Sequence, residues 1–343
     1  MVGGKSPGHD GLSIEHLKHA GVHLPREYSG ICLLPDILWE KVREAGVPSE
    51  LTSLFQYWYS NQCNQVRWGS TLSEPYRLEC GVRQGGLTSP KLFNLNMNEL
   101  IVELSSKHVG CKIDGTSINN ISYADDMVLL GPTAGSIREM LQTCERYAAT
   151  HGLQYNTGKS EYLIFEAPGR CVAYEPVISL NGRPLNRVKQ FKYLGHYLTV
   201  DLKDQVDTER ERRALAVRCN MLAHRFARCS RGVKITLFKA FCTSFYTGGL
   251  WVNCTRKALD ALRVQYNNVF RLLLGLPRYC SASGMFAEAR VDDFYALMRK
   301  KAASLLSRSR SSANSILQVL ADKHDAPVLR HWIELLVRQT LRS

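Results

Sequence analysis

The sequence has no run near the roughly 18 consecutive apolar residues that a membrane-spanning helix requires, so a membrane segment is not expected. It has no C-x-x-C pair. Its 11 cysteines are scattered and odd in number, which argues against both a disulfide framework and a zinc ribbon. Cys219, His224 and Cys229 are only loosely grouped. A reduced intracellular protein is the plain reading. The opening Met1–Gly8 is polar and glycine-rich and reads as no signal peptide. No internal repeat is visible. The basic residues form no dense cluster of the nuclear-import kind, and the serine–arginine stretch Ser307–Ser312 is short enough to be a solvated helix end.

What is present suits two domains with a real core: 343 residues, 45% of them hydrophobic. The net charge of +13 is unevenly placed. Residues 1–200 hold 19 Lys/Arg against 19 Asp/Glu, whereas residues 201–343 hold 25 against 12. A neutral part followed by a basic part fits a protein that grips a polyanion with one domain and does something else with the other.

Apolar periodicity predicts helices over Ile37–Ala45, Ser49–Tyr59, Ser89 to about Lys107, and Gly135–Thr150. Strand-like pieces at Gln65–Trp68 and Tyr76–Glu79 read as a hairpin, and Ser117–Ser122 and Met127–Leu130 flank Tyr123-Ala-Asp-Asp126. Further short strands are expected at Ser160–Phe165, Val177–Leu180 and Phe191–Leu198. This mixture predicts an α+β fold, an antiparallel sheet with helices on one face. From about Asp201 the pattern is helical throughout. Glu209–Ala227 carries Val217, Met221, Leu222 and Phe226 as its expected core stripe. Thr255 is an N-cap for a helix with Leu259, Leu262, Tyr266, Val269, Phe270 and Leu273 on one side, stopped at Gly275-Leu-Pro277.

Two phosphate-loop lookalikes fail. Gly3-Gly-Lys-Ser6 lacks its upstream glycine, and Gly152 to Gly158-Lys-Ser160 has five intervening residues where the loop needs four. Asp125 and Asp126 are more informative. Adjacent carboxylates at a hairpin turn repel, and keeping both ionised calls for a cation, for which Mg²⁺ is the natural choice.

With these surroundings, Tyr123-Ala-Asp-Asp126 resembles the Y-x-D-D hairpin of reverse transcriptases. Gly81-Val-Arg-Gln-Gly-Gly-Leu-Thr-Ser-Pro-Lys-Leu-Phe-Asn94 resembles that family's nucleotide-binding motif, Gly152–Asn156 with Lys159-Ser160 its next motif, and Phe191-Lys-Tyr-Leu-Gly195 its primer grip. Gly4–Leu12 resembles the segment opening the fingers in enzymes of non-LTR (LINE-type) retrotransposons, and the helical tail, through Leu274-Gly-Leu-Pro277, resembles their thumb and connection. These features make group II intron maturases, which share the Y-x-D-D logic, a poorer match.

The resemblance implies an RNA-directed DNA polymerase using Mg²⁺ or Mn²⁺, an RNA template, a DNA primer and dNTPs. Asp125 and Asp126 would be catalytic metal ligands, and Lys159 would reach the pyrophosphate. Tyr123, Arg83, Gln84 and Gly85 would face nucleotide and template, and Phe191, Tyr193, Leu194 and Gly195 the primer. The expected organisation is a remnant of the fingers entry over 1–35, a palm over 36–200, and a basic helical thumb with C-terminal extension over 201–343. One departure stands out. Pro35-Asp-Ile-Leu-Trp39 matches the segment after the family's first catalytic aspartate, but His23–Leu34 does not match the aspartate motif itself, and Gly8 to Asp36 is too short to hold the fingers. Asp36 is expected only to cap the helix from Ile37. Impaired nucleotidyl transfer is the consequence, and the alternative function is a non-catalytic nucleic-acid-binding remnant.

Overall fold

The structure is a computed structural model that describes residues 35–77, 86–166, 175–323 and 325–337. The entry segment expected before residue 35 lies outside the described residues, as do residues 81–85 of the Gly81–Asn94 motif.

The chain is mixed helix and strand, an α+β fold, and it divides into two compact units. The first holds the described residues up to Ser160 together with Val177–Pro184. Its helices are α1 (Pro35–Glu44), α2 (Ser49–Ser60), α3 (Ser89–Ser106) and α4 (Ala134–His151). Proline at the start of α1 gives up a donor that would have no intrahelical partner. Asp36, expected at the N-cap, instead lies in the first turn, where its charge suits the positive end of the helix. Helix α4 starts on a reciprocal cap between Thr133 and Ser136 and ends on Gly152 at φ 65°.

Strands in this unit are short. The expected strands Gln65–Trp68 and Tyr76–Glu79 find other partners among the described residues: β1 (Cys63–Asn64) pairs with β4 (Tyr76–Arg77) and, nearer the turn, β2 (Arg67–Trp68) pairs with β3 (Thr71–Leu72). The segment predicted as one strand over 117–122 is split. β6 (Thr116–Ile118) pairs back on β5 (Cys111–Ile113), and β7 (Asn120–Tyr123) pairs forward on β8 (Asp126–Leu129). Asn119 makes the break, because its buried side chain donates to the carbonyls of Leu104 and Val109. Its amide thus satisfies the buried Leu104 carbonyl near the end of α3 and the Val109 carbonyl just beyond it. The core beneath comes from Leu38, Trp39 and Val42 of α1, five residues of α3 from Leu92 to Leu104, and Met140, Cys144 and Tyr147 of α4. At its edge the Lys41 ammonium is bonded to Glu99 (2.6 Å), the Tyr147 hydroxyl (2.8 Å) and the Asn96 carbonyl (3.2 Å).

The second unit takes the described parts of Glu161–Pro176 and the described residues from Leu185 onward. It contains β9 (Glu161–Tyr162), which runs parallel to β12 (Asn186–Arg187), and the hairpin of β13 (Gln190–Tyr193) and β14 (His196–Thr199). In the first unit, β10 (Ser179–Leu180) and β11 (Arg183–Pro184) form a hairpin of their own. Among the described residues strands are therefore hydrogen-bonded only in pairs.

Helices follow: α5 (Gln205–Arg225), α6 (Arg231–Cys242), α7 (Arg256–Leu274), α8 (Ala282–Ala289), α9 (Phe294–Arg310), α10 (Ser315–Asp322) and α11 (Pro327–Val337). The start and stop expected for α7 are found in place. The Thr255 hydroxyl accepts from Ala258 N, and Gly275 closes the helix at φ 67°. On α5 Leu222 is buried and Phe226 packs on the same core as expected, but the rest of the stripe is corrected. Val217 and Met221 are exposed, and the buried face runs Asp207, Thr208, Glu211, Leu215, Cys219, Leu222. Polar residues head that face, so a search for apolar spacing alone misplaces part of it. The core it joins is aromatic: Phe238, Phe245, Trp251, Tyr266, Phe270, Phe286 and Phe294 are all almost wholly buried. Cys219 and Cys242 lie in the same core, and burial pushes their thiols up to about 11 and about 12. No helix among the described residues is long and apolar enough to cross a membrane.

Candidate active site and nucleic-acid surface

The β7–β8 hairpin pairs Asn120 with Leu129, Ile121 with Val128, Ser122 with Met127 and Tyr123 with Asp126, leaving Ala124-Asp125 as a two-residue link. Directly opposed residues share a face and successive ones alternate. Met127 and Leu129 pack on the core, so Tyr123, Asp126, Ile121 and Val128 belong to the other face. Tyr123 is 65% exposed, and both Asp125 and Asp126 are exposed. Ala124 takes φ 51°, a left-handed conformation costing a residue with a Cβ about 1–2 kcal/mol. The two-residue link and the apolar contacts of β8 hold it there.

Among the described residues, neither aspartate side chain has a hydrogen-bond or ion-pair partner. Two adjacent carboxylates with open oxygens suit a hard divalent ion that binds through oxygen and keeps several waters. Among the described residues no three His, Cys, Asp or Glu side chains gather into a metal-binding group. The ligands beyond this pair would be water or substrate oxygens.

Lys159 is exposed in the loop after α4. Asn156 shapes this loop: its side-chain oxygen accepts from Lys159 N at 3.1 Å, and its carbonyl accepts from Lys159 N, Ser160 N and the Ser160 hydroxyl. Leu153 and Tyr155, just upstream, pack on the core that also receives Met127 and Leu129. One apolar core thus anchors the carboxylate hairpin and the lysine loop. Arg83, Gln84 and Gly85 lie outside the described residues. Their motif re-enters the described chain at Gly86, and Thr88 is tied to the Tyr59 hydroxyl at 3.0 Å before α3 begins.

The expected primer-grip residues belong to the second unit. Phe191 and Tyr193 are half-buried on β13, and Leu194 and Gly195 form the two-residue turn with φ 45° and 87°. Two left-handed positions in succession make the turn whose twist matches a hairpin. Gly suits the second, while Leu194 is strained at the first.

Sequence reading missed what holds this turn. Asp207 is fully buried, and its carboxylate accepts from Trp251 Nε1 (2.8 Å), Thr247 Oγ1 (2.6 Å), Arg210 Nε (2.8 Å) and Tyr197 N (3.3 Å), with His196 Nδ1 at 3.2 Å. Burial pushes this carboxyl up. The bonds from His196, Arg210, Thr247 and Trp251 outweigh burial and hold it well below the usual range. Asp204, also buried, is pushed the other way, chiefly by desolvation, although Asn253 N and His196 oppose the shift. An aspartate on a basic helix reads as a solvated face, and only the tertiary structure shows that five donors converge on it.

Residues 34–198 match the family described as reverse transcriptase (RNA-dependent DNA polymerase). The chain is 32% identical over 138 residues to the Retrovirus-related Pol polyprotein from type-1 retrotransposable element R2 of Popillia japonica, covering 38% of this chain and 23% of that protein. It is 27% identical over 169 residues to the type-2 element R2DM polyprotein of Drosophila melanogaster, covering 46% of this chain and 15% of that protein. Over 326 residues, 88% of this chain, it is 21% identical to the RNA-directed DNA polymerase from mobile element jockey of Drosophila funebris and covers 35% of it. The chain thus spans between 15% and 35% of the length of these relatives.

Proposed function

Because residues 34–198 belong to the reverse transcriptase family, in the branch of the non-LTR retrotransposon polymerases, we propose that this chain is the palm and thumb of an RNA-directed DNA polymerase whose nucleotidyl transfer is impaired. The observation that carries the reading is the bare carboxylate pair, exposed at the end of a hairpin, one on its two-residue link and one on the adjoining strand, within the family-matching segment. The palm is assigned to 36–200 and the basic helical thumb to 201–343. RNA template, DNA primer and dNTPs are the proposed partners.

In this reading Asp125 and Asp126 hold Mg²⁺ or Mn²⁺. When bound, the metal supplies the charge that activates a primer 3′-hydroxyl and steadies the pyrophosphate as it leaves. Lys159 reaches that pyrophosphate and donates a proton to it. Arg83 pairs with phosphate, Gln84 orients a base, Gly85 lets the backbone approach the nucleotide, and Tyr123 lines the same face as Asp126. Phe191, Tyr193, Leu194 and Gly195 hold the primer strand. The impairment follows from His23–Leu34, which lacks the aspartate motif that would bring a third carboxylate beside the pair. Two acids on one turn cannot easily bridge two metals.

A second reading, nucleic-acid binding without synthesis, is favoured by the excess of 25 Lys/Arg over 12 Asp/Glu in residues 201–343. Such binding is made through phosphates and weakens with salt. The test is primer extension by the full chain on a primed RNA template with Mg²⁺ and dNTPs, with Asp125→Ala in parallel and duplex binding measured in the same samples. We expect salt-sensitive binding by both proteins and at most trace extension. Robust extension lost in Asp125→Ala would remove the impairment and leave the polymerase assignment standing. Absence of binding by both would overturn the assignment.

A further inference from the structure

Tyr246 is 78% exposed between two residues that are almost wholly buried, Phe245 and Thr247. Isolated exposed aromatics are common and need no explanation, but this one is presented by a built segment. Phe245 anchors in the aromatic core at φ 23°, a strained conformation. The Thr247 hydroxyl donates to Asp207 at 2.6 Å, and Arg210 reaches the same hydroxyl at 3.5 Å. Gly248 N and Leu250 N donate back to the carbonyls of Phe245 and Thr247, each at 2.8 Å, and Lys301 donates to the Ser244 carbonyl. Rigid backbone on both sides of an outward ring keeps the ordering cost of a contact low.

The ring lies against the Leu194-Gly195 turn. A Cβ added at Gly195 would meet Tyr246 Cδ1 and Cε1 at 3.6 Å. The same carboxylate that fixes Thr247 also accepts from Tyr197 N and faces His196, the residue directly after the turn. Asp207 therefore sets two elements at once: the hairpin carrying Phe191–Gly195 and the segment carrying Tyr246. Lys192, exposed on β13 two residues before the turn, adds one positive charge to the same hairpin.

We propose that Tyr246 extends the primer-grip surface as a stacking platform for the DNA primer strand near its 3′ end. This rests on the reading above that Phe191–Gly195 hold the primer. A phenol ring held rigid and exposed beside a backbone turn suits sequence-tolerant stacking on a nucleic-acid strand.

The test is fluorescence anisotropy of the full chain with a DNA primer annealed to a longer RNA template. Tyr246→Ala should weaken binding about tenfold, within the range expected for losing one base–aromatic stack, and Tyr246→Phe should bind within about twofold of wild type. Since the ring is exposed, neither variant should shift the unfolding midpoint appreciably. A blunt RNA duplex, which lacks a primer end, should show a much smaller difference. Tyr246→Ala binding like wild type, while Phe191→Ala loses affinity, would overturn the role of Tyr246 and leave the primer grip intact. Equal losses in Tyr246→Phe and Tyr246→Ala would overturn stacking as the mode of contact. Wild-type chain that fails to bind primed template would remove the underlying reading and this inference with it.

Discussion

The Tyr123–Asp126 and Tyr193–His196 hairpins share a two-residue link, a tyrosine at the first shoulder and a residue with a side chain at positive φ, Ala124 or Leu194. They differ in what lies behind the turn. The first is held by apolar side chains, Met127 and Leu129, and the carboxylates it carries meet no protein cation among the described residues. The second is wired by a buried carboxylate to His196, to a backbone amide and to two neighbouring segments. In the proposed reading the first turn offers its charge to a ligand, and a turn of that kind cannot have its charge neutralised from within, so its anchoring is left to the hydrophobic effect. A turn that offers mainly shape can be pinned by ions and hydrogen bonds without losing what it presents.

The sharpest way to break this contrast is Asp207→Asn. Removing one partner from a buried charged network costs about 3–5 kcal/mol, and urea unfolding should show a loss of that size. A loss below about 1 kcal/mol would mean that the carboxylate does not hold the second hairpin. The acid side of the same experiment has a definite sign. The folded Asp207 carboxyl lies below its ordinary value of 3.8, so its contribution is complete above that value and is lost as pH falls through the folded pKa. The gap between wild type and Asp207→Asn should therefore narrow below about pH 4. Asp204, shifted the other way, opposes folding at neutral pH.

A smaller effect sharpens what the two turns share. Ala124→Gly and Leu194→Gly each relieve a left-handed residue, and each should gain up to about 1 kcal/mol after the added freedom of glycine in the unfolded chain is subtracted. A loss at either site would show that its side chain contributes more by contact than its backbone costs in strain. Smallest of all is Asp125→Asn, expected to leave unfolding within about 0.5 kcal/mol of wild type. A larger drop would place Asp125 in the fold rather than at the disposal of a ligand.

Much of this was legible in sequence wherever local chemistry decides the outcome. Thr255 and Gly275 bound α7 where capping preferences put them, and alternation around Tyr123–Asp126 gave the hairpin. Two turn signals went unread: Asp114-Gly115 and Asn181-Gly182 both have paired positive φ values and each closes a hairpin, β5–β6 and β10–β11. Asn119 and Asp207 could not be read. Their roles depend on partners far along the chain, Leu104 and Val109 for one and Thr247 and Trp251 for the other. The partly misplaced stripe on α5 has the same origin, since the start of its buried face is polar while Val217 and Met221, though apolar, face solvent. No local pattern distinguishes a carboxylate that solvates a helix from one that five donors will surround.

The buried cysteines have a kinetic consequence. Cys144 lies in the core of the first unit, and Cys219 and Cys242 in that of the second, each with burial holding its thiol protonated well above neutral pH. The thiolate is the reactive species, so an alkylating reagent in neutral solution reaches these sulfurs only when the surrounding core opens. Each unit thus carries its own internal clock: the labelling rate at Cys144 counts openings of one core, and the rates at Cys219 and Cys242 count openings of the other. Whether the two cores open together or separately is written in the ratio of those rates.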